Sequence, residues 1–278
     1  KPQYSGNAIA ARLGELHYGK PAIVVEGESD LGFWNIIRSS QAEVLPAYGR
    51  KAVIDGVRGF QNKSVGVIDE DYERIGGGSS GSESENLFST KEPNDIESLL
   101  LQSWLMGGAD SIPNSPDYMF QAHIPRNLVQ KAVVLSRGVG VLRAINHSEG
   151  WGLRFKSEDR FMPPWLEGYV KSDEDERERA LISGVKNNST SNAPGIEEIQ
   201  SRYREGVIRF RGASDFALTN GHDLSKIIEI LSAGAVRSME VEKWLRNEVR
   251  PRGSDFELFR KMNRWSEKNG LPLIILKD

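Results

Sequence analysis

Ala22-Ile23-Val24-Val25-Glu26-Gly27-Glu28-Ser29-Asp30 is an apolar run that stops abruptly on a glutamate and a glycine. Such a run, apolar at every position, reads as a strand buried on both faces, as in a parallel sheet covered by helices. Val65-Gly66-Val67-Ile68 repeats the pattern and stops on Asp69-Glu70-Asp71. In an open parallel sheet, functional groups collect beyond the carboxyl ends of the strands. Two such ends bearing acids bring carboxylates together at one edge. Their mutual repulsion raises their pKa values, and a divalent cation bound by hard oxygen ligands relieves it.

The segments around these strands alternate in the same sense. Ala8 to Leu16 has helical apolar spacing ahead of the break at Gly19-Lys20-Pro21, and Leu31, Trp34 and Ile37 recur at helical intervals after the first strand. Lys51–Val57 reads as a short strand-like or turn segment, Leu87–Ser89 as a further strand and Ile96–Met106 as a helix. Strands alternating with helices predict an α/β parallel sheet over residues 1–105. A helical insertion or second subdomain is expected over 106–195, with helices at Arg126–Leu135 and Val139–Ile145, a charged solvated stretch at Lys171–Arg179 and a polar linker at Lys186–Pro194. Residues 196–278 form a strand and helix region that could pack back on the sheet: Val207–Phe210 as strand, Asp223–Leu231 as a helix capped by Asp223, and Leu271–Leu276 as a closing strand or docked tail. The run Gly76-Gly77-Gly78-Ser79-Ser80-Gly81-Ser82 reads as a surface insertion.

Composition narrows the class. With 278 residues, 38% apolar and 27% charged, the chain has material for one large or two smaller cores of a soluble protein. No apolar run reaches the ~20 residues needed to cross a bilayer, and no secretory signal opens the sequence, so a cytoplasmic location is expected. The chain begins at Lys1 rather than Met, so trimming of a few residues is an expectation. The absence of cysteine excludes disulfides and thiolate metal sites. A net charge of −3 argues against a uniformly basic coat, yet Arg237 to Arg264 carries eight Lys/Arg against five Asp/Glu. Arg202, Arg204, Arg209 and Arg211 form a second basic group. Either cluster could follow a phosphate backbone or simply be a solvated helix face.

Val25-Glu26-Gly27-Glu28-Ser29-Asp30 followed by Ile68-Asp69-Glu70-Asp71 resembles the Toprim signature shared by topoisomerases, bacterial primases and overcoming-lysogenization-defect nucleases. Thr90-Lys91-Glu92-Pro93-Asn94-Asp95-Ile96-Glu97-Ser98-Leu99-Leu100, with Asn220-Gly221-His222-Asp223-Leu224, is similar to a narrower group, the stand-alone Toprim-like proteins of the DUF4435 type. That group includes a nuclease subunit of an anti-phage defence system. The resemblance implies Glu26 as general acid/base or metal ligand, Asp69 and Asp71 as ligands of Mg²⁺ or Mn²⁺, and Asp30 and Glu97 as supporting acids. It further implies phosphodiester cleavage in RNA, tRNA included, or in DNA.

Each acid also has a plainer reading. Asp30 could cap the helix at Leu31, and Asn94-x-x-Glu97 fits a capping box. Glu28 and Glu70 read as solvated neighbours, and Gly27 as the residue that lets the chain turn after the strand. His17, His123, His147 and His222 have no ligand spacing, although His222 could lie near the acids. No Gly-x-x-x-x-Gly-Lys-Ser/Thr loop is present, and Gly138-Val139-Gly140 lacks the rest of a dinucleotide motif. ATP hydrolysis would therefore fall to a separate subunit that restrains or activates this one. Homodimerisation is open, and no membrane partner is expected. A non-catalytic Toprim-fold module binding a nucleotide or a partner through the same acids is the alternative. A primase or topoisomerase is disfavoured by the short chain, the lack of zinc-binding cysteines and the lack of a convincing tyrosine context.

Overall fold

The first acid-ended strand, β1 (Ala22–Val25), lies inside a four-stranded sheet of order β2-β1-β3-β4, where β2 is Glu43–Pro46, β3 is Ser64–Ile68 and β4 is Leu87–Ser89. All three strand pairs are parallel, with Ala22 opposite Glu43 on one side and Ser64 on the other. The computed structural model describes residues 5–16, 20–70, 72, 84–91, 93–107, 124–156, 163–190 and 192–276. The architecture is α/β, a parallel sheet flanked by helices with a large additional helical region, consistent with a Toprim-like fold.

Alternate residues of the strands serve two different layers. Ala22 and Val24, with Leu45, Ile68 and Leu87, pack against Ile9 and Leu13 of α1 (Gly6–Glu15) and Val53 and Val57 of α3 (Arg50–Val57). Ile23, Val25, Val65, Val67 and Phe88 face the opposite way, into the cluster holding Phe33, Trp34 and Ile37 of α2 (Leu31–Ile37) and Phe259 of the Glu257–Asn269 helix. The period of two along a strand produces this split, and both faces are dry, as the apolar runs require. Gly66 lets α3 settle closely on β3, since a Cβ there would meet Val53 Cγ1 at 2.7 Å.

Chain order sets the location of the site. From β1 the chain runs outward through α2 to β2, then returns through α3 to form β3 on the other side of β1. The direction of winding reverses between β1 and β3. Their carboxyl ends therefore flank the switch point, where open α/β sheets form their ligand crevice.

Beyond the sheet, the Arg126–Glu149 helix is the axis of the helical region, and the helices Ile196–Arg209, Asp215–Leu218 and Gly221–Leu231 pack along it. Gly140, part of the fragment discounted above, serves packing: a Cβ there would lie 1.5 Å from the Leu218 carbonyl oxygen. No described helix is long and apolar enough to cross a membrane.

Several local expectations are corrected. Lys51–Val57 belongs to helix α3, not a strand. Val207–Phe210 is not a strand either: Val207 to Arg209 end the Ile196–Arg209 helix, Phe210 is its C-cap, and Val207 and Ile208 face outward at 43% and 66% exposure. The Gly221–Leu231 helix is capped by Asn220 rather than Asp223, whose N–H the Asn220 side chain accepts at 3.3 Å. The carboxy-terminal segment is a docked tail held by one antiparallel bridge, Arg38 to Ile274. Residues 76–82 lie outside the described residues.

Candidate active site

Glu26 directly follows β1 and Asp69 directly follows β3, so the sheet itself sets them side by side. The Asp69 backbone N–H donates to Glu26 Oε1 at 2.9 Å, tying the two strand ends together. Behind them, the Gly49 N–H donates to the Glu26 carbonyl at 2.7 Å, and Arg50 Nη1 donates to the Asp69 carbonyl at 3.1 Å. Gly27 has an ordinary extended φ of −147°, so the turn after β1 does not use its freedom. The position that needs glycine is Gly49, at φ +120°, beside Tyr48 at φ 55°. That strained pair delivers the hydrogen bond that fixes the end of β1.

Asp30 turns back on its own loop, accepting the Gly27 N–H at 3.1 Å and the Ser29 hydroxyl at 3.2 Å. It closes the short 3₁₀ turn Glu28–Asp30 and makes no side-chain cap to α2. Burial and the nearby Glu97 raise its pKa, partly offset by Arg246.

The residue the sequence reading missed is Asp95. It caps α4 (Ile96–Leu105), accepting the Ser98 N–H at 2.9 Å on Oδ1, while Oδ2 accepts the Gly221 N–H at 2.7 Å. Two helix amino termini thus converge on one carboxylate, and both favour its charge. Burial and Glu97 still prevail, pushing its pKa up to about 6. Asn94, expected to open a capping box, instead braces the strand end: its carbonyl accepts the Glu70 N–H at 3.0 Å and its Oδ1 the Tyr72 N–H at 2.9 Å. The capping preference of aspartate before an apolar run was the signal for Asp95, one residue from where it was sought.

Glu97 is buried and pairs with Arg246 of the Ser238–Glu248 helix, whose Nε donates to Glu97 Oε1 at 2.6 Å. Nothing local in the sequence predicts a contact across 149 positions. A second buried pair, Arg143 with Asp223 at 2.6 and 2.8 Å, joins the Arg126–Glu149 helix to the first turn that presents Gly221. A Cβ on Gly221 would meet Glu97 Cβ at 2.4 Å and Asp95 Oδ1 at 3.0 Å, so only glycine fits between the acids. His222 lies beside them, its Nδ1 2.8 Å from Glu242; that bond raises the imidazole pKa, and Glu97 and Asp95 add to the effect.

Charge gathers most strongly at Asp69. Burial first, then Asp95, Glu97, Glu26 and Asp30, all push its pKa well above the usual carboxylate range. Glu26, and the two supporting acids implied by the resemblance, Asp30 and Glu97, all lie close enough to Asp69 to raise its pKa. Asp71 lies outside the described residues. Glu70, expected to be solvated, is 2% exposed, and its Oε1 has no hydrogen-bond partner among the described residues. Of the basic residues expected to follow a phosphate backbone, Arg202, Arg204 and Arg209 lie on the Ile196–Arg209 helix, away from the strand ends in the chain: Arg204 pairs with Glu178 at 2.9 Å, Arg202 with Glu205 at 2.9 Å, and Arg209 lies over the Phe210 ring.

Carboxylate oxygens are the donors a hard cation such as Mg²⁺ or Mn²⁺ takes, and the raised pKa of Asp69 marks a place where positive charge is wanted. Glu26 and Asp69 are two of the three expected ligands. Among the described residues no group of three or more His, Asp or Glu side chains is arranged around one metal position. Comparison with protein-family models, with curated proteins and with solved structures finds no match.

Proposed function

We propose that the chain is a metal-dependent nuclease of the Toprim class that hydrolyses phosphodiester bonds in RNA, such as tRNA, or in DNA. The observation that carries this reading is the joining of Glu26 and Asp69 at the switch point of a parallel sheet, within a cluster of carboxylates that repel one another. Asp69 and Glu26, with Asp71, would hold Mg²⁺ or Mn²⁺. The bound ion would polarise a phosphate oxygen and lower the pKa of a coordinated water.

The chain's own groups supply the remainder. Asp95, whose proton leaves at about pH 6, can take up or release a proton near neutrality, as general acid/base work requires. Its two helix-terminal donors hold that carboxylate at a fixed orientation. Gly49 and Arg50 fix the backbone on which Glu26 and Asp69 stand. Basic residues at Arg202–Arg211 and Arg237–Arg264 would contact the substrate backbone. Within this reading the protein is the cytoplasmic toxic effector of a bacterial anti-phage system, and a separate ATPase subunit controls it.

The alternative is a non-catalytic module that binds a nucleotide or partner through the same acids. The engagement of Asp95 as a helix cap and of Glu97 in an ion pair favours it, because groups committed to structure are less free for chemistry. Incubating the purified chain with labelled RNA and DNA, with and without Mn²⁺, separates the two. The nuclease reading requires Mn²⁺-dependent cleavage that Asp69→Asn abolishes. Binding without cleavage, unchanged by the metal, supports the module.

A further inference from the structure

The carboxylate cluster is compensated on one side by a guanidinium. Arg246 binds Glu97 Oε1 through both Nε and Nη2, so its Nη1 takes no part in that contact. Only 15% of the Arg246 side chain and 6% of the Glu97 side chain are exposed. Glu242, one turn earlier on the same helix, and Asp30 add negative charge beside the same guanidinium. Asp69 differs, since the four charged groups that act most strongly on it are all carboxylates.

The Ser238–Glu248 helix has an apolar seat as well as the Arg246–Glu97 pair. Val241, Trp244 and Leu245 of that helix are buried, and Trp244 packs edge-on against Trp104 with ring centres 5.5 Å apart. The part-buried arginine on this anchored helix is held at the acids by its pair with Glu97. Its planar, permanently charged group suits burial against carboxylates and recognition of phosphate. A two-metal phosphodiesterase site needs a second cation about 4 Å from the first, bridged by shared acids.

Resting on the metal-dependent reading above, we propose that Arg246 is the fixed second cation of this site: its guanidinium fills the place beside Glu97 and Asp30 that a second divalent ion would need, so that the site takes one ion, at Asp69, and turns the free edge of the arginine toward a substrate phosphate. The site is then complete only when the Ser238–Glu248 helix docks on the sheet domain. Removing the charge frees Glu97 and Asp30 for a second ion, whereas a lysine preserves the block.

Counting Mn²⁺ on the full chain by electron paramagnetic resonance and calorimetry tests this, with no need for activity. The expected result is one ion per chain in the wild type and in Arg246→Lys, and two in Arg246→Met. Two ions in the wild type overturn the proposal, and this arm needs no variant to fold. One ion in both the wild type and an Arg246→Met protein of unchanged circular dichroism overturns it as well. If Arg246→Met does not fold, Arg246→Gln, which also removes the charge but stays polar, decides: two ions support the proposal and one overturns it. A wild type that binds no Mn²⁺ at all removes the metal-dependent reading itself, an outcome distinct from the failure of the arginine's role.

Discussion

Asp95 shows most clearly how several forces settle on one side chain. Its carboxylate receives N–H groups from two helix starts, yet burial and Glu97 hold its pKa at about 6. An acid whose folded pKa exceeds its unfolded value binds more protons in the native state over the interval between them. Stability therefore falls as pH rises from about 4 to about 6, then levels off. The span between the ordinary value of 3.8 and about 6 corresponds to about 3 kcal/mol. Asp69 and Asp30, also raised, act in the same direction. The metal-free protein should melt at a higher temperature at pH 5 than at pH 7.5, with Asp95→Asn flattening the difference. A melting temperature that falls on acidification to pH 5 would contradict this balance. Glu26 and Asp69 were legible in the sequence because each ends an apolar run. Arg246 was not, since its role depends on a contact between residues far apart in the chain.

Elements were legible where one periodicity dominated, and misread where a short run mimicked another. β1 and β3 stand out as apolar stretches bounded by polar residues. In Ala52-Val53-Ile54 the apolar run imitates a strand, but the turn at Gly49 starts a helix there. Val207-Ile208 imitates one too, although the buried residues of that helix, Ile199, Tyr203 and Gly206, repeat at helical spacing. The crossing of α4 with the Gly221–Leu231 helix depends on Gly221 lacking a side chain. Gly221→Ala should cost about 2 kcal/mol in chemical denaturation, since overpacking a tight contact forces its neighbours apart. Gly14→Ala, on the exposed face of α1 with open space around it, should instead stabilise by about 1 kcal/mol. Equal effects at the two positions would show that the close approach at Gly221 carries no energy.

Across the whole molecule, one apolar cluster runs from Ile23 in the sheet through Val139 and Tyr203 to Ile274 near the carboxy terminus. It takes in residues from all three segments expected from sequence. The Trp104–Trp244 contact is one of its joints, linking α4 to the helix that carries Arg246. Trp244→Ala should cost about 4 kcal/mol by opening a cavity at that joint. It should also weaken Mn²⁺ binding if the helix helps to hold the site together. A loss of stability with metal affinity untouched would separate the helix from the site.

The central claim is that acids joined at the ends of β1 and β3 form a metal-dependent hydrolytic centre. The most direct measurement compares wild type and Glu26→Gln for cleavage of total cellular RNA and DNA in Mn²⁺, with the ends sequenced. Glu26→Gln keeps an amide oxygen for the Asp69 N–H while removing the charge. The account predicts defined ends with the wild type in Mn²⁺, none in chelator, and a rate lowered about 100-fold or more in Glu26→Gln, as for loss of a principal electrostatic group. Cleavage that persists at the wild-type rate in Glu26→Gln, or in chelator, would contradict it.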